Sequence, residues 1–161
     1  APQVGTYISL TQREDLASAF RLEYREDKIL SKYTHFSWSA IVMALLPILE
    51  APHTVLSQKA RVVTDDEFGP ELVQHLENMA ETMYDAPGVG LAAPQVGDSR
   101  RILVADPSNN DDQDVPTLYK MVNPTVLSHS EELISYEESC LSVPEFYLNV
   151  KRYKQIVVEW K

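Results

Sequence analysis

The residues best suited to chemistry fall in two short stretches. The first is Gly88-Val89-Gly90-Leu91-Ala92-Ala93-Pro94-Gln95-Val96-Gly97, which holds three of the five glycines in the chain. Small residues at that density let a second backbone or a ligand come close, and Gln95 adds a neutral donor and acceptor. The stretch does not fit a dinucleotide fingerprint, because the glycine order differs and the residues before it read as helix where that motif needs a strand. On composition alone it is a tight helix-to-strand connection. The second stretch is Glu137-Glu138-Ser139-Cys140-Leu141-Ser142-Val143-Pro144. Its cysteine, the only one in the chain, follows two carboxylates and lies between hydroxyls. Those are unusual surroundings for a residue that most often fills a core. A nucleophilic thiolate would need a base or cation beside it, and His129 is the nearest histidine in sequence. A thiolate metal ligand is the other chemistry open to Cys140. Spacing alone does not choose between them. The four histidines, His35, His53, His75 and His129, are never four apart, so no helix here offers a histidine pair to a metal.

The elements around these stretches follow from periodicity. Thr11 with Glu14 has the form of a capping box, and Leu16, Phe20 and Tyr24 follow at helical spacing, so a helix is expected over about 11–30. Leu45 to Leu49 is apolar, with Pro47 and Pro52 keeping it extended or irregular. Pro70 suits a first helical turn, and Leu72, Leu76, Met79 and Met83 make one apolar stripe, which predicts a helix over about 70–84. It runs directly into the glycine stretch. Beyond Gly97 the texture changes to strands, at 102–105, 119–122, 132–136, 146–150 and 155–160, with a polar Asn- and Asp-rich loop over 108–114. One helix followed by several short strands predicts an α+β domain. The pentapeptide Ala-Pro-Gln-Val-Gly occurs at both 1–5 and 93–97 without any wider repeat.

Composition sets the outer bounds. The chain has 161 residues, room for one ordinary domain. Its formal charge of −10 argues against sequence-independent nucleic-acid binding, which needs a cationic face. The longest nearly apolar run, 40–49, is too short to cross a bilayer. A single cysteine fits a reducing compartment. The charge is also uneven. Residues 1–42 hold five basic and five acidic groups, while 43–161 hold 9 basic and 19 acidic, which suggests a boundary near Met43. Residues 1–42 are therefore expected to be an extension of unknown role, partly helical, and 43–161 the folded unit.

Taken together, the two stretches resemble the signatures of the peptide deformylase family. Gly88 to Gln95 is similar to the first, a glycine-alternating run ending in Ala-Ala-Pro-Gln. Glu138 to Ser142 is similar to the second, Glu-Gly-Cys-Leu-Ser, with Ser139 where the family usually has glycine. The segment 43–52, the run Glu81-Thr82-Met83-Tyr84 and Val122-Asn123-Pro124 continue the likeness, which covers about 43–161 in one consistent order.

The resemblance implies an α+β fold with antiparallel sheets packed around helices. It also implies a metal-dependent amidase that removes the formyl group from N-terminal formyl-methionine of new polypeptides and releases formate. Cys140 would be the metal's thiolate ligand. The Gln95 side chain and the Leu141 backbone N–H would be the catalytic donors to the oxyanion. Gly88, Val89, Gly90, Leu91, Glu138 and Ser139 would line the path of the substrate peptide, which would pair like an added strand. The metal expected is Fe2+, with Zn2+ or Ni2+ as alternatives, and the compartment is the cytoplasm, with the translating ribosome a possible partner. The third family signature, His-Glu-x-x-His on a C-terminal helix, does not occur in these 161 residues. The sequence is therefore expected to be a C-terminally incomplete deformylase, inactive by itself, with an apolar face of 155–160 exposed where that helix would pack. A non-catalytic module that binds peptide N-termini or a protein partner is the alternative. A cysteine hydrolase pairing Cys140 with His129 is a third reading.

Overall fold

Gly69 precedes α1 (Pro70–Asp85), whose first residue is a proline that lacks an N–H no helix could use there. Its stripe of Leu72, Leu76, Met79, Ala80 and Met83 is buried, and Met79 and Met83 are fully enclosed. The computed structural model describes residues 44–107 and 117–161, together with the backbone of Thr6–Thr11. The loop expected over 108–114 and the helix expected beyond Thr11 lie outside the described residues. Thr11 itself is the last residue of a strand, β1 (Thr6–Thr11).

Among the described residues the strands form three antiparallel sheets, one of which packs on the helix. β2 (Gly90–Ala92), β3 (Ile102–Ala105) and β4 (Tyr119–Val122) form one, in the order β2-β3-β4. β5 (Thr125–His129) and β8 (Gln155–Trp160) form the second, with β1 on the far side of β8. β6 (Leu133–Cys140) and β7 (Val143–Tyr153), among the described residues, pair only with each other. The α+β class expected from the sequence is the class observed. The limits of β3, β4 and β8 match their sequence patterns. The β6 and β7 strands run longer than theirs, while β2 and β5 were not anticipated.

The main core joins α1 to β2 and β3 through Leu91, Ala93, Ile102 and Val104, with Val63 and Val122 closing it. Full burial of a Leu, Val or Met side chain contributes about 1.5–3 kcal/mol, so this cluster dominates the stability of the domain. A smaller cluster places Met121 against Val158 and Trp160. The apolar side of β8 is therefore largely covered, contrary to expectation, because the strand turns its buried residues onto β4. The large exposed apolar residues lie mostly elsewhere, with Phe146, Tyr147 and Leu148 of β7 each about two thirds exposed.

Two connections hold these parts in register. Backbone bonds in both directions between Val122 and Lys161 tie the end of β4 to the end of β8. Next to them Asn123, at φ 55°, donates from Nδ2 to Val63 O and accepts at Oδ1 from Val63 N, both at 2.8 Å. Asparagine tolerates this left-handed backbone better than most residues, and here its amide imitates a strand neighbour.

Candidate functional site

The two motifs meet where α1 gives way to β2 and where β6 turns into β7. Gln95 sits in a short 3-10 turn, Ala93–Val96, which Gly97 ends at φ +86°, a conformation glycine adopts without strain. The Gln95 Oε1 atom accepts from the Ala92 backbone N–H at 2.9 Å. With the carbonyl end fixed, the amide nitrogen must face the other way. Nε2 lies 3.2 Å from Ser142 Oγ and 3.7 Å from Cys140 Sγ. The amide orientation is thus set by a backbone donor, and its two N–H groups are directed toward the second motif.

That motif is shaped by the β6–β7 hairpin. Cys140 is opposite Val143, so Leu141 and Ser142 form the turn between the strands. A register shift between Ser139 and Cys140 bends the strand at this point, as bulges beside functional sites commonly do. Cys140 is exposed, whereas Ser142 is buried. The Leu141 side chain packs against the main core directly beside Gly88. A Cβ at Gly88 would come within 2.8 Å of Leu141 Cδ1. Glycine at 88 is therefore what lets the hairpin turn reach the helix end.

The segment 44–51 fastens both motifs to the body. Ala44 N donates to Asn78 Oδ1 at 3.2 Å and Leu46 N to Thr82 Oγ1 at 2.9 Å, both on α1. Leu49 N then donates to Gln95 O at 2.7 Å and Ala51 N to Ser142 O at 2.8 Å. This irregular segment thus satisfies carbonyls on both sides of the site.

The glycine stretch behaves as an edge. Among the described residues β2 has β3 on one side only, and Val89 O accepts from Asp106 N at 2.9 Å. By the alternation of antiparallel pairing, the next residue, Gly90, turns its N–H and C=O to the open edge. A Cβ at Gly90 would meet only ordinary contacts, the nearest at 3.6 Å. The fold itself therefore does not demand glycine at 90. Val89 is exposed, but the Leu91 side chain is 2% exposed and belongs to the core, and by the same alternation its backbone faces β3, so Leu91 shapes the edge without presenting a group to it. Ser139 is exposed on β6. Glu138 is bound bidentately by Arg152, Nε to Oε1 at 2.8 Å and Nη2 to Oε2 at 2.7 Å. Arg152 lies on the same face of the hairpin, two same-face pairs along, and its guanidinium holds the Glu138 carboxyl below the usual range.

The donor set bears on metal chemistry. Cys140 offers one thiolate, but no group of three or more His, Cys, Asp or Glu among the described residues could hold an ion. His129, the histidine nearest in sequence, stacks on Tyr153 with ring centroids 3.7 Å apart and has Nδ1 3.0 Å from Ser130 O. These residues by themselves do not complete a catalytic metal centre, which takes three protein ligands.

Three parts of the site were not foreseen: Ser142 as a partner of Gln95, Arg152 as the partner of Glu138, and 46–51 as a strap. The only signal for Arg152 is its opposite charge on a strand face whose register the sequence did not establish. The strap was visible only as the family likeness of 43–52, and its tie to Gln95 and Ser142 left no signal, since backbone atoms carry it.

This arrangement is shared with known proteins. Residues 45–161 match the family model for polypeptide deformylase. A peptide deformylase of Desulfotalea psychrophila is 42% identical over 119 residues, covering 74% of this chain and 68% of the relative. One from Agrobacterium fabrum is 36% identical over 118 residues, covering 73% and 67%. The chain thus spans about two thirds of the length of these relatives. The solved peptide deformylase of Thermotoga maritima superposes with a TM-score of 0.64 at 37% identity, over 73% of this chain and 74% of that one. A Met-Ala-Ser-bound class I type b enzyme from Acinetobacter baumannii gives 0.67 at 32% identity, over 73% and 77%. With both motifs in one site and the match running through β2 to β8, the chain belongs to the polypeptide deformylase family.

Proposed function

We propose that residues 43–161 form the substrate-strand and oxyanion part of a peptide deformylase acting on N-formyl-methionyl peptides, with residues 1–42 an extension of separate role. The observation that carries this reading is the fixed Gln95 amide. Its Oε1 is held by Ala92 N, and its Nε2 faces Cys140 and the turn that contains Leu141. Donors set in place before reaction, and aimed where a formyl oxygen gains charge, often supply the largest catalytic contribution. Gln95 Nε2–H and the Leu141 N–H are assigned that role. The open edge at Gly90, with the exposed Val89 beside it, and the exposed Ser139 of β6 are assigned to the peptide backbone, which would add as a strand. Gly88 serves by letting Leu141 seat. Glu138 serves through its pairing with Arg152, which steadies the hairpin.

The family implies a divalent metal, for which iron is the first candidate and zinc or nickel the others. Cys140 is assigned as its thiolate ligand, and since no group of three or more His, Cys, Asp or Glu among the described residues could hold an ion, hydrolysis requires ligands beyond this set. When bound, such an ion supplies an activated water. The work would be done in the cytoplasm, where formylated chains leave the ribosome. No helix among the described residues is long and apolar enough to cross a membrane.

The test uses formyl-Met-Ala-Ser peptide. The chain is expected to bind it, with backbone amide shifts at Val89, Gly90 and Ser139, and to release no formate in the presence of ferrous iron. Fused to a segment carrying His-Glu-x-x-His, it is expected to release formate, and Gln95→Ala in that fusion lowers kcat about 100-fold or more. Peptide binding without formate release by the fusion would favour a binding module. Formate release by the 161 residues alone would overturn the stated dependence on outside ligands.

A further inference from the structure

A run of alternating charge lies outside the motifs and ends beside Gln95. Asp98 follows Gly97 directly, and its backbone N–H closes the Gln95 turn by donating to Ala93 O at 3.0 Å. The Asp98 carboxylate takes Arg100 Nε at 2.8 Å and Nη2 at 2.6 Å on Oδ2, and the Arg100 backbone N–H at 2.9 Å on Oδ1. The same Oδ2 is 3.1 Å from Nε2 of His75, which projects from α1. That nitrogen is buried, and its approach to Asp98 is not that of a well-aligned hydrogen bond. We read the pair as an N–H held against a carboxylate, because a bare ring nitrogen facing an anion at that distance would be repelled. Burial tends to raise the Asp98 pKa, but the close approach of His75 and the hydrogen bonds from Arg100 outweigh it and hold the carboxyl well below the usual range. Arg100 in turn comes within 3.9 Å of Glu67, which Arg61 clasps at 2.7 and 2.8 Å.

We infer that His75 is a positioning residue for Gln95, acting through Asp98. Three features support the assignment. His75 is the member of the run that stands on α1, the element in which the main core is anchored. Asp98 reaches the Gln95 turn by a single backbone bond to Ala93, while Leu49 N fixes Gln95 O from the other side. The remaining charges bind Asp98 to 61–67, where Arg61 N donates to Ser99 O and Arg101 N to Arg61 O. Without His75, the turn after Gln95 would stay attached to 61–67 but lose its side-chain tie to the helix. The inference rests on the reading of Gln95 as the oxyanion donor, although its test does not depend on catalysis.

Backbone hydrogen exchange on the 161-residue chain reads the coupling. The Ala92 amide is protected by the Gln95 side chain itself, and the Leu49 and Asp98 amides report the two ends of the turn. In His75→Leu these three amides are expected to exchange at least about tenfold faster, while Val157 and Val158 of β8 keep their rates. His75→Gln, which restores an N–H of similar reach, is expected to return them to their original rates. If His75→Leu fails to fold, His75→Asn makes the same cut with polarity retained. Unchanged exchange at Ala92, or a uniform acceleration across the whole chain, would overturn the inference. Loss of formate release in the Gln95→Ala fusion concerns the Gln95 reading alone, so the two can fail separately.

Discussion

Two regions meet at the site, and they are built on opposite principles. The α1–β2–β3 region encloses its side chains, with Met79, Met83, Ala93 and Val104 showing no exposed surface. The β6–β7 hairpin has little interior and leaves Leu133, Phe146, Tyr147 and Leu148 at least half exposed. Gln95 belongs to the first region and Cys140 to the second. The site is thus one rigid donor facing a turn held by a few specific ties, namely Leu141 against Gly88, Ser142 against Gln95 and Ala51, and Arg152 on Glu138. Precision on the hairpin side comes from those ties and owes little to packing.

The sharpest way to break this comparison is to cut each region in turn. Met83→Ala is expected to destabilise by about 2–5 kcal/mol, since an enclosed side chain leaves a cavity. Phe146→Ala should stay within about 0.5 kcal/mol. Urea unfolding of both variants checks the pair, and comparable losses would mean the hairpin is packed after all. Next in size is a contrast inside the glycine stretch. Gly88→Ala forces Leu141 aside and should cost about 1–3 kcal/mol, with shifted amides across 139–142. Gly90→Ala, whose new Cβ meets only ordinary contacts, should leave stability within about 0.5 kcal/mol and weaken peptide binding instead.

How far the sequence foretold this divides along the same line. The α1 stripe and strands β3, β4 and β8 follow from apolar periodicity, because each has a buried side that leaves a period in the chain. The β2 strand is three residues of Gly, Leu and Ala, too short for a period. In β6 and β7 the apolar residues are not sorted onto a buried face, so their ends could not be read. Both motifs were recognisable, and Gln95 does face Cys140. What could not be read is how they are held, because Leu49 and Ala51 act through backbone atoms and Arg152 through a register that only the fold establishes. The apolar residues of β8 were expected to be exposed, but that reading lacked Met121 as their cover.

Smaller effects test the Gln95–Ser142 contact and then the charged run. Ser142→Ala should cost about 1 kcal/mol, leaving Gln95 Nε2 without one acceptor. Acid should act through carboxylates on the packed side. Glu67 is pushed down to about 2 by its hydrogen bonds from Arg61 and Thr64, and Asp98 is also depressed. Groups with lowered native pKa stabilise the fold above their unfolded values and stop doing so as pH falls through the native ones. The urea midpoint should therefore be flat near neutrality and decline from about pH 4 toward 2. Asp98→Asn should blunt that decline. At the other extreme Tyr84 is pushed up to about 12 by burial and its bond to Asp106, so its contribution is full below about pH 10 and is lost as pH rises from there through 12.

The Asn123 amide has a further consequence, for the ageing of the protein. Asparagine side chains commonly decay when the next residue's backbone nitrogen attacks the amide carbon and ammonia leaves. The product would be an aspartate, unable to donate to Val63 O while still facing it. Here the next residue is Pro124, whose ring nitrogen carries no hydrogen to give up. The amide that ties the end of β4 to Val63 is therefore closed to its commonest route of chemical wear, and this pairing should outlast that of an asparagine followed by glycine or serine.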